Sequence, residues 1–528
     1  MTDQLDWMVS RARAGRMSRR EFLGRSAALG LGTALASALY SGAALAQPKA
    51  GGLLRAGISG GESTNTLDPA LATVIAPNIT NCTWGERLVE VTADKQIDPR
   101  LAEEFSSSPD ATVWTFKMRS GVTFHNGQPV TAEDVVATFR RHSDENAKSG
   151  ALGMMRNIAE MKAEGDKVVL TMETPSADLP YLLGDYHLQI QPGGGYDDPD
   201  AGIGAGPYKV EVFEPGVRVG FTKFADYFDD SIGHADQLEL LVINDNTART
   251  AALQAGQIHM MNRVDPKIAA ILATSEGVQI KNTTGSGHYV FIMHCDTPPF
   301  DNNDLRMALK LAIRRGEMVE KILGGLGSIG NDFPINATYA FFDDTIPQRE
   351  YDAKAAAEYY RKSGHDGSPI ILRTAYGAFP GAVDAANLFA ASAQAAGIPL
   401  EVELEPDDGY WENVWNVQPF CASYWSGSAV QDRMYTQAYL STAEWNDTRF
   451  RNAEFDELLL KARGELDPAK RKEEYSRMAH LVRDEGGLIL PMFNDFVDGI
   501  RDEVGGWYSD PNSEMMGYRA LVRCWLES

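Results

Sequence analysis

Residues 114–141 read W-T-F-K-M-R-S-G-V-T-F-H-N-G-Q-P-V-T-A-E-D-V-V-A-T-F-R-R. Trp114, Phe116 and Met118 alternate with Thr115, Lys117 and Arg119, a period of two that predicts a half-buried strand. Gly121 interrupts the alternation and residues 122–124 resume an extended run. Asn126-Gly127 tolerates positive φ and predicts a tight turn. Thr131 then opens a helix. Its hydroxyl can cap the first turn, and Asp134 three residues on can reach back to it. Val135, Val136 and Phe139 share one face of that helix. His125 is the one readily titrating group here, and it has no nucleophile or metal-ligand partner beside it, so it reads as a turn or rim histidine.

The chain has 528 residues and a formal net charge of −24. At roughly 150 residues per domain there is material for about three domains and large cores. So acidic a surface argues against nucleic acid and anionic lipid as partners. The acidity says nothing about the inside of a pocket.

The first 46 residues read as a leader. Ser18-Arg19-Arg20-Glu21-Phe22-Leu23 fits a twin-arginine export signal, and residues 26–46 carry no charge. Ala44-Leu45-Ala46 fits an A-x-A cleavage site. The uncharged run has few large apolar residues, so a cleaved signal is favoured over a retained anchor. No lipidation cysteine follows it, and the expectation is a protein free in the periplasm. That compartment permits disulfides, and Cys82, Cys295, Cys421 and Cys524 allow three complete pairings, with free buried thiols as the alternative.

Further along, residues 167–172, 217–223 and 237–243 predict strands, and 247–256 a helix ending on glycine. Residues 286–293 predict a strand near a hinge, and 304–323 one amphipathic helix. Strands at 370–374 and 401–404 alternate with a helix at 384–396, an α/β pattern. Two motifs mislead. Gly57-Ile58-Ser59-Gly60-Gly61 fits G-x-S-x-G, but a polar loop rather than a helix follows Ser59. Residues 325–330 fit G-x-G-x-x-G, but they follow a helix, not a strand. No catalytic residue, metal site or cofactor is predicted. A secreted peptide hydrolase is the alternative function, and it lacks a nucleophile–base–acid set in the right context.

The central stretch resembles the W-T-F-x-L-R-x-G-V-x-F-H-[DN]-G-x-P-[FV]-T-A-x-D-V segment of extracellular solute-binding proteins of the peptide/nickel class of ABC importers. Met118 in place of leucine is the one small departure. The likeness continues in the opening G-G-L-L-R strand, in G-A-G-P-Y-K-V at 204–210, in L-R-M-A-L-K-L-A-I-R-R at 305–315, and in the C-terminal D-P-A-K-R at 467–471. It implies a two-lobed α/β periplasmic binding protein fold, type II-like with the extra domain of peptide binders, closing over a central cleft. The expected division is a first lobe over 47–285 with an extra subdomain at about 95–203, a second lobe over 286–497, and a return to the first lobe over 498–528. The implied function is an ABC-importer receptor, a monomer that captures a peptide or peptide-like solute and delivers it to a membrane permease. Opines, oligosaccharides and nickel chelates are alternative ligand classes.

The resemblance also points to ligand contacts. Peptide-binding members carry W-x-x-D where this chain reads Trp425-Ser426-Gly427-Ser428, so Ser428 stands where an ammonium-pairing aspartate is expected. Asp432 is a possible replacement, with Arg433 beside it. The arginine that some dipeptide binders use for the carboxylate falls near residues 376–379, which contain no arginine. Trp425 is expected against the ligand, with Tyr376, Trp411 and Trp415 as further aromatic candidates. The loop after the first strand lines the cleft in that family, which adds Ser63, Thr64 and Asn65. Common unmodified dipeptides are expected to bind poorly unless Asp432 turns into the cleft. If it does, an amine-bearing ligand stacked on Trp425 is favoured.

Overall fold

A computed structural model describes residues 19–28 and 48–527. Most of the expected leader, with its cleavage site, lies outside the described residues; within it Arg19–Ala28 is helical. No helix among the described residues is long and apolar enough to cross a membrane.

The central stretch folds as its pattern dictates. Strand Val113–Met118 buries Trp114, Phe116 and Met118 and leaves the alternate residues half-buried. Gly127 takes φ +85 in the turn, where an L side chain would be strained. Thr131 caps helix Ala132–Ser143: its N–H donates to Asp134 Oδ2 at 2.9 Å, and Asp134 N–H donates to Thr131 Oγ1 at 3.3 Å. His125 Nε2 lies 3.0 Å from the Gly206 carbonyl oxygen, and burial pushes the imidazole down to about 4. The helix lies over an antiparallel four-stranded sheet ordered Ala102–Ser107, Val113–Met118, Lys167–Met172, Ile158–Glu164.

Two larger sheets form the lobes. Leu53–Ile58 runs in the middle of a seven-stranded sheet, parallel to Gln237–Val242 in the register Leu53↔Gln237. The second sheet has six strands, ordered Gly327–Ile329, Leu488–Asn494, His288–Met293, Phe420–Trp425, Ile370–Thr374, Leu400–Leu404. His288–Met293 and Leu488–Asn494 are buried along their whole lengths, as central strands must be when both faces are covered.

The chain crosses between these sheets twice. It leaves the first after Val278–Thr283 and enters the second at His288, then leaves the second at Asn494 and re-enters the first with Phe496–Arg501. The two crossings lie side by side, because His288 pairs Phe493 on one sheet and Thr283 pairs Phe496 on the other.

The helix predicted over 304–323 is two helices, Asn303–Leu311 and Arg315–Lys321. The break serves a buried charge. Arg315 Nη2 donates to the freed Lys310 carbonyl at 3.1 Å and to both Asp332 oxygens at 2.7 Å. All four cysteines are free thiols, three of them buried.

Space at the crossing is tight. A Cβ on Gly285 would lie 2.3 Å from Phe496 Cε2 and 2.8 Å from the Pro511 carbonyl oxygen. Gly285→Ala is therefore expected to destabilise the protein by about 1–3 kcal/mol, read as a lower melting temperature. An unchanged melting temperature would show that the crossing strands have slack.

Candidate functional site

A cleft of about 980 Å³, part of it open to solvent, lies between the lobes. Its second-lobe wall is aromatic. Trp425 ends the buried strand Phe420–Trp425, while Trp411 and Trp415 lie on and just after the short helix Tyr410–Asn413. The rings of Trp415, Trp425 and Trp445 form a triangle with centroids 5.7 to 6.3 Å apart. Asp447 fixes two of them from behind: Oδ2 accepts the indole N–H of Trp415 at 3.0 Å and of Trp425 at 3.2 Å. Burial pushes the Asp447 carboxyl up to about 7, against the pull of those two donors.

The opposite wall is polar and is assembled from distant parts of the chain. Arg87 and Glu90 come from the segment after helix Ile75–Trp84, Tyr186 from the segment after helix Leu179–Leu183, and Tyr518 and Arg519 from the C-terminal segment. Arg433 joins them from the second lobe, ion-paired to the buried Asp185 next to Tyr186. Burial opposes ionisation of Asp185, but Arg433 and His187 outweigh it and hold the carboxyl below the ordinary range. Tyr518 donates to Ser426 Oγ at 2.8 Å, closing the back of the cleft. Around Tyr518 the backbone is strained: Met515, Met516 and Tyr518 all have φ between +51 and +69. Each such residue costs about 1–2 kcal/mol, and this run is held by Met515 N–H donating to Asp498 Oδ2 at 3.0 Å.

Beneath this wall lies an ion cluster. Glu86 binds Arg100 and Arg519, each at 3.1 Å, and Glu90 binds Arg519 at 3.1 Å and also Arg523. Arg100 reaches Asp229 at 2.8 Å. Burial alone would raise the Glu86 and Glu90 carboxyls, but the arginines outweigh it and both are lowered.

Of the residues singled out in the sequence, Trp425, Trp411 and Trp415 line the cleft. Others do not. Asp432 is wholly buried inside the second lobe, where Arg463 Nε donates to both its oxygens at 3.1 and 3.2 Å. One step along helix Gln431–Ala438 turns about 100°, so Arg433 faces the cleft and Asp432 faces inward. The amine anchor considered for Asp432 thereby loses its residue. The Ser428 hydroxyl is buried without a hydrogen-bond partner among the described residues, and its backbone N–H donates to Tyr339 Oη at 2.8 Å. Tyr376 stands on a turn after strand Ile370–Thr374 and is 68% exposed, away from the cleft. Ser63, Thr64 and Asn65 lie on the rim rather than the wall. Ser63 donates from N and Oγ to Asp408 of the opposite lobe, Asn65 Oδ1 accepts from Glu62 N–H, and Thr64 is exposed.

Sequence reading missed Arg87, Tyr186, Trp445, Tyr518 and Arg519. Only Arg87 carried a local signal: Glu86-Arg87 is a charged pair set between Trp84 and Leu88-Val89, an apolar context in which charges fold into buried pairing.

Asp432→Asn leaves Arg463 without a counter-charge in a dry core. The expected outcome is a loss of about 3 kcal/mol of stability, seen as a lower denaturation midpoint, with little change in ligand affinity at a matched folded concentration. A selective loss of affinity for cationic solutes without destabilisation would return Asp432 to the cleft.

Known proteins share this architecture. Residues 96–447 match the model for bacterial extracellular solute-binding proteins, family 5 Middle. The glutathione-binding protein GsiB of Escherichia coli (strain K12) is 22% identical over 474 residues, covering 86% of this chain and 91% of the relative. DppA from Helicobacter pylori, a periplasmic binding protein solved with the peptide STSA, superposes with a TM-score of 0.82 at 22% identity, covering 91% of this chain and 99% of that one. AgaA from A.tumefacien R10, solved with agropinic acid, also gives a TM-score of 0.82 at 22% identity, over 90% of this chain and 99% of that one. This two-lobed chain, with its cleft between the lobes, belongs to the bacterial extracellular solute-binding proteins of family 5.

Proposed function

We propose that this protein is the receptor of an ABC importer, exported to the periplasm by the twin-arginine pathway, where as a monomer it captures a peptide or peptide-like solute and hands it to an inner-membrane permease. One observation carries the reading: an aromatic wall from the second lobe and a polar wall built mostly from the first, joined by Arg433, face each other across one cleft. Contacts between the lobes ring that cleft. Ser63 meets Asp408, Trp411 N–H donates to Glu62 Oε1 at 3.3 Å, Lys95 reaches the Thr338 carbonyl, and Arg471 pairs with Asp178. A solute touching both walls gains contacts only when these rim contacts are made, so it shifts the population toward the closed form.

Similar proteins are named for or solved with glutathione, the peptide STSA and agropinic acid, and these set the panel to be screened. Thermal denaturation of the mature protein against di- and oligopeptides, glutathione, opines, amines, sugars and nickel chelates should show at least one class raising the melting temperature, by mass action on the folded state. If no class shifts it, the receptor reading fails.

Closure should also depend on pH. Glu62 is buried where the lobes meet, with Asp408 and Glu412 facing it from the second lobe. Burial first, and those two carboxylates second, push its carboxyl up to about 7, against the hydrogen bond from Trp411. When the lobes part and Glu62 is hydrated, it returns toward the ordinary carboxylate value of 4.5. Closing therefore takes up a proton between these two values. The closed form is fully favoured below the lower one and loses that advantage as pH rises through the higher. Affinity for the solute found in the screen should be higher at pH 5 than at pH 8, with a smaller difference in Glu62→Gln. Equal pH slopes in the two proteins would remove Glu62 from closure.

A further inference from the structure

One guanidinium on the polar wall of the cleft has no carboxylate in direct contact among the described residues. In the cluster beneath it, Glu86, Glu90 and Asp229 face Arg100, Arg519 and Arg523 one for one, through the contacts described above. Arg433, on the other side, has Asp185. Arg87 is the remaining guanidinium on the wall, and no carboxylate oxygen among the described residues lies within ion-pair distance of it. It is 6% exposed. Its side chain makes one hydrogen bond among the described residues, Nη1 to the Gly184 carbonyl at 2.5 Å, and its Nε is enclosed with no partner. A guanidinium has five N–H donors, so four here lack a protein acceptor.

Asp510, the other carboxyl on this wall, does not fill the gap. It accepts from Asn512 N–H at 2.9 Å, and the charges that act on it are Arg523 and Glu90. Burial pushes it up to about 6, so it is also the weakest acid of the set. Glu90 and Glu86 lie near enough to attract the Arg87 guanidinium, but burial outweighs them; an enclosed cation without a direct carboxylate partner is expensive, and its geometry favours a planar, two-oxygen partner. The carboxylates near the cleft already face arginines, which leaves less for a solute's ammonium: Glu90 lies within ion-pair distance of Arg519, Arg523 and Arg100, Asp510 feels Arg523, and Asp432 is turned into the second lobe against Arg463.

We infer that the solute this cleft takes carries a carboxylate or an equivalent planar anion, seated on the Arg87 guanidinium, with its body against the indoles of Trp415, Trp425 and Trp445. The inference rests on the receptor reading and adds the ligand's charge to it.

The test is calorimetric titration of the full mature protein with matched pairs: dipeptides, N-acetyl dipeptides and N-acyl amino acids, each as the free acid and as its C-terminal amide. Among the pairs that bind, the acid should bind at least roughly tenfold tighter than the amide, the scale of a hydrogen-bonded charge pair. In Arg87→Gln that ratio should fall to within about threefold, through loss of acid affinity and not gain of amide affinity. The wild-type comparison needs no variant, so a misfolded Arg87→Gln does not spare the inference. Amides binding as tightly as acids overturns it. So does an equal loss for both in folded Arg87→Gln. If only neutral or cationic solutes bind, the anion inference falls and the receptor reading stands. If no member of these pairs and no solute class of the wider screen binds, both fall.

Discussion

The structure depends on the ion cluster in which Glu86 and Glu90 hold Arg100, Arg519 and Arg523. Arg519 and Glu86 are 433 residues apart in the chain. Their pairing locks the C-terminal segment onto the first lobe and so fixes Tyr518 and Arg519 on the cleft wall. Buried ion pairs of this kind contribute little net stability, because desolvation consumes most of the Coulomb gain. What they do impose is geometry, since an arrangement that separated any member would strand a charge in the dry interior. Neighbouring strain is consistent with that role. The left-handed backbone at Met515, Met516 and Tyr518 persists only where its surroundings over-determine it, and the cluster is part of those surroundings.

The two cleft walls solve opposite problems. The aromatic wall needs large apolar faces held still beside water. It achieves this with one buried carboxyl, Asp447, accepting two indole N–H groups at once, so that Trp415 and Trp425 cannot rotate independently. The polar wall needs charge available without letting the protein collapse onto it. Four of its five neighbouring arginines are therefore satisfied internally, and Arg87 is kept in place by a single backbone carbonyl. A solute that spans both walls would meet a preorganised surface on each side, which lowers the entropy lost on binding.

Much of the fold was legible in the sequence because its signals are local. The period-two strand at Val113–Met118, the Asn126-Gly127 turn and the Thr131–Asp134 capping box each involve residues a few positions apart, and all three are present. The helix expected over 304–323 split because Arg315 reaches Asp332, a contact that no periodicity encodes. The cleft was legible only in part. Trp425 closes a strand, and the likeness to the W-x-x-D segment of peptide binders marked it. Arg87, Tyr186, Trp445 and Tyr518 converge from separate regions of the chain, so nothing local links them. Asp432 and Arg433 show the finest limit: adjacent charges on one helix have opposite destinations, and which one faces the cleft is set by where Arg463 lies in the folded lobe.

The most direct measurement is a crystal structure of the protein with the solute that most raises its melting temperature. The account predicts electron density between the Trp415–Trp425–Trp445 indoles and the Arg87 guanidinium, with an anionic group of the solute within hydrogen-bond distance of Arg87. Density for the solute outside the interlobe cleft, or inside it with Arg87 facing only neutral or cationic atoms, would contradict it.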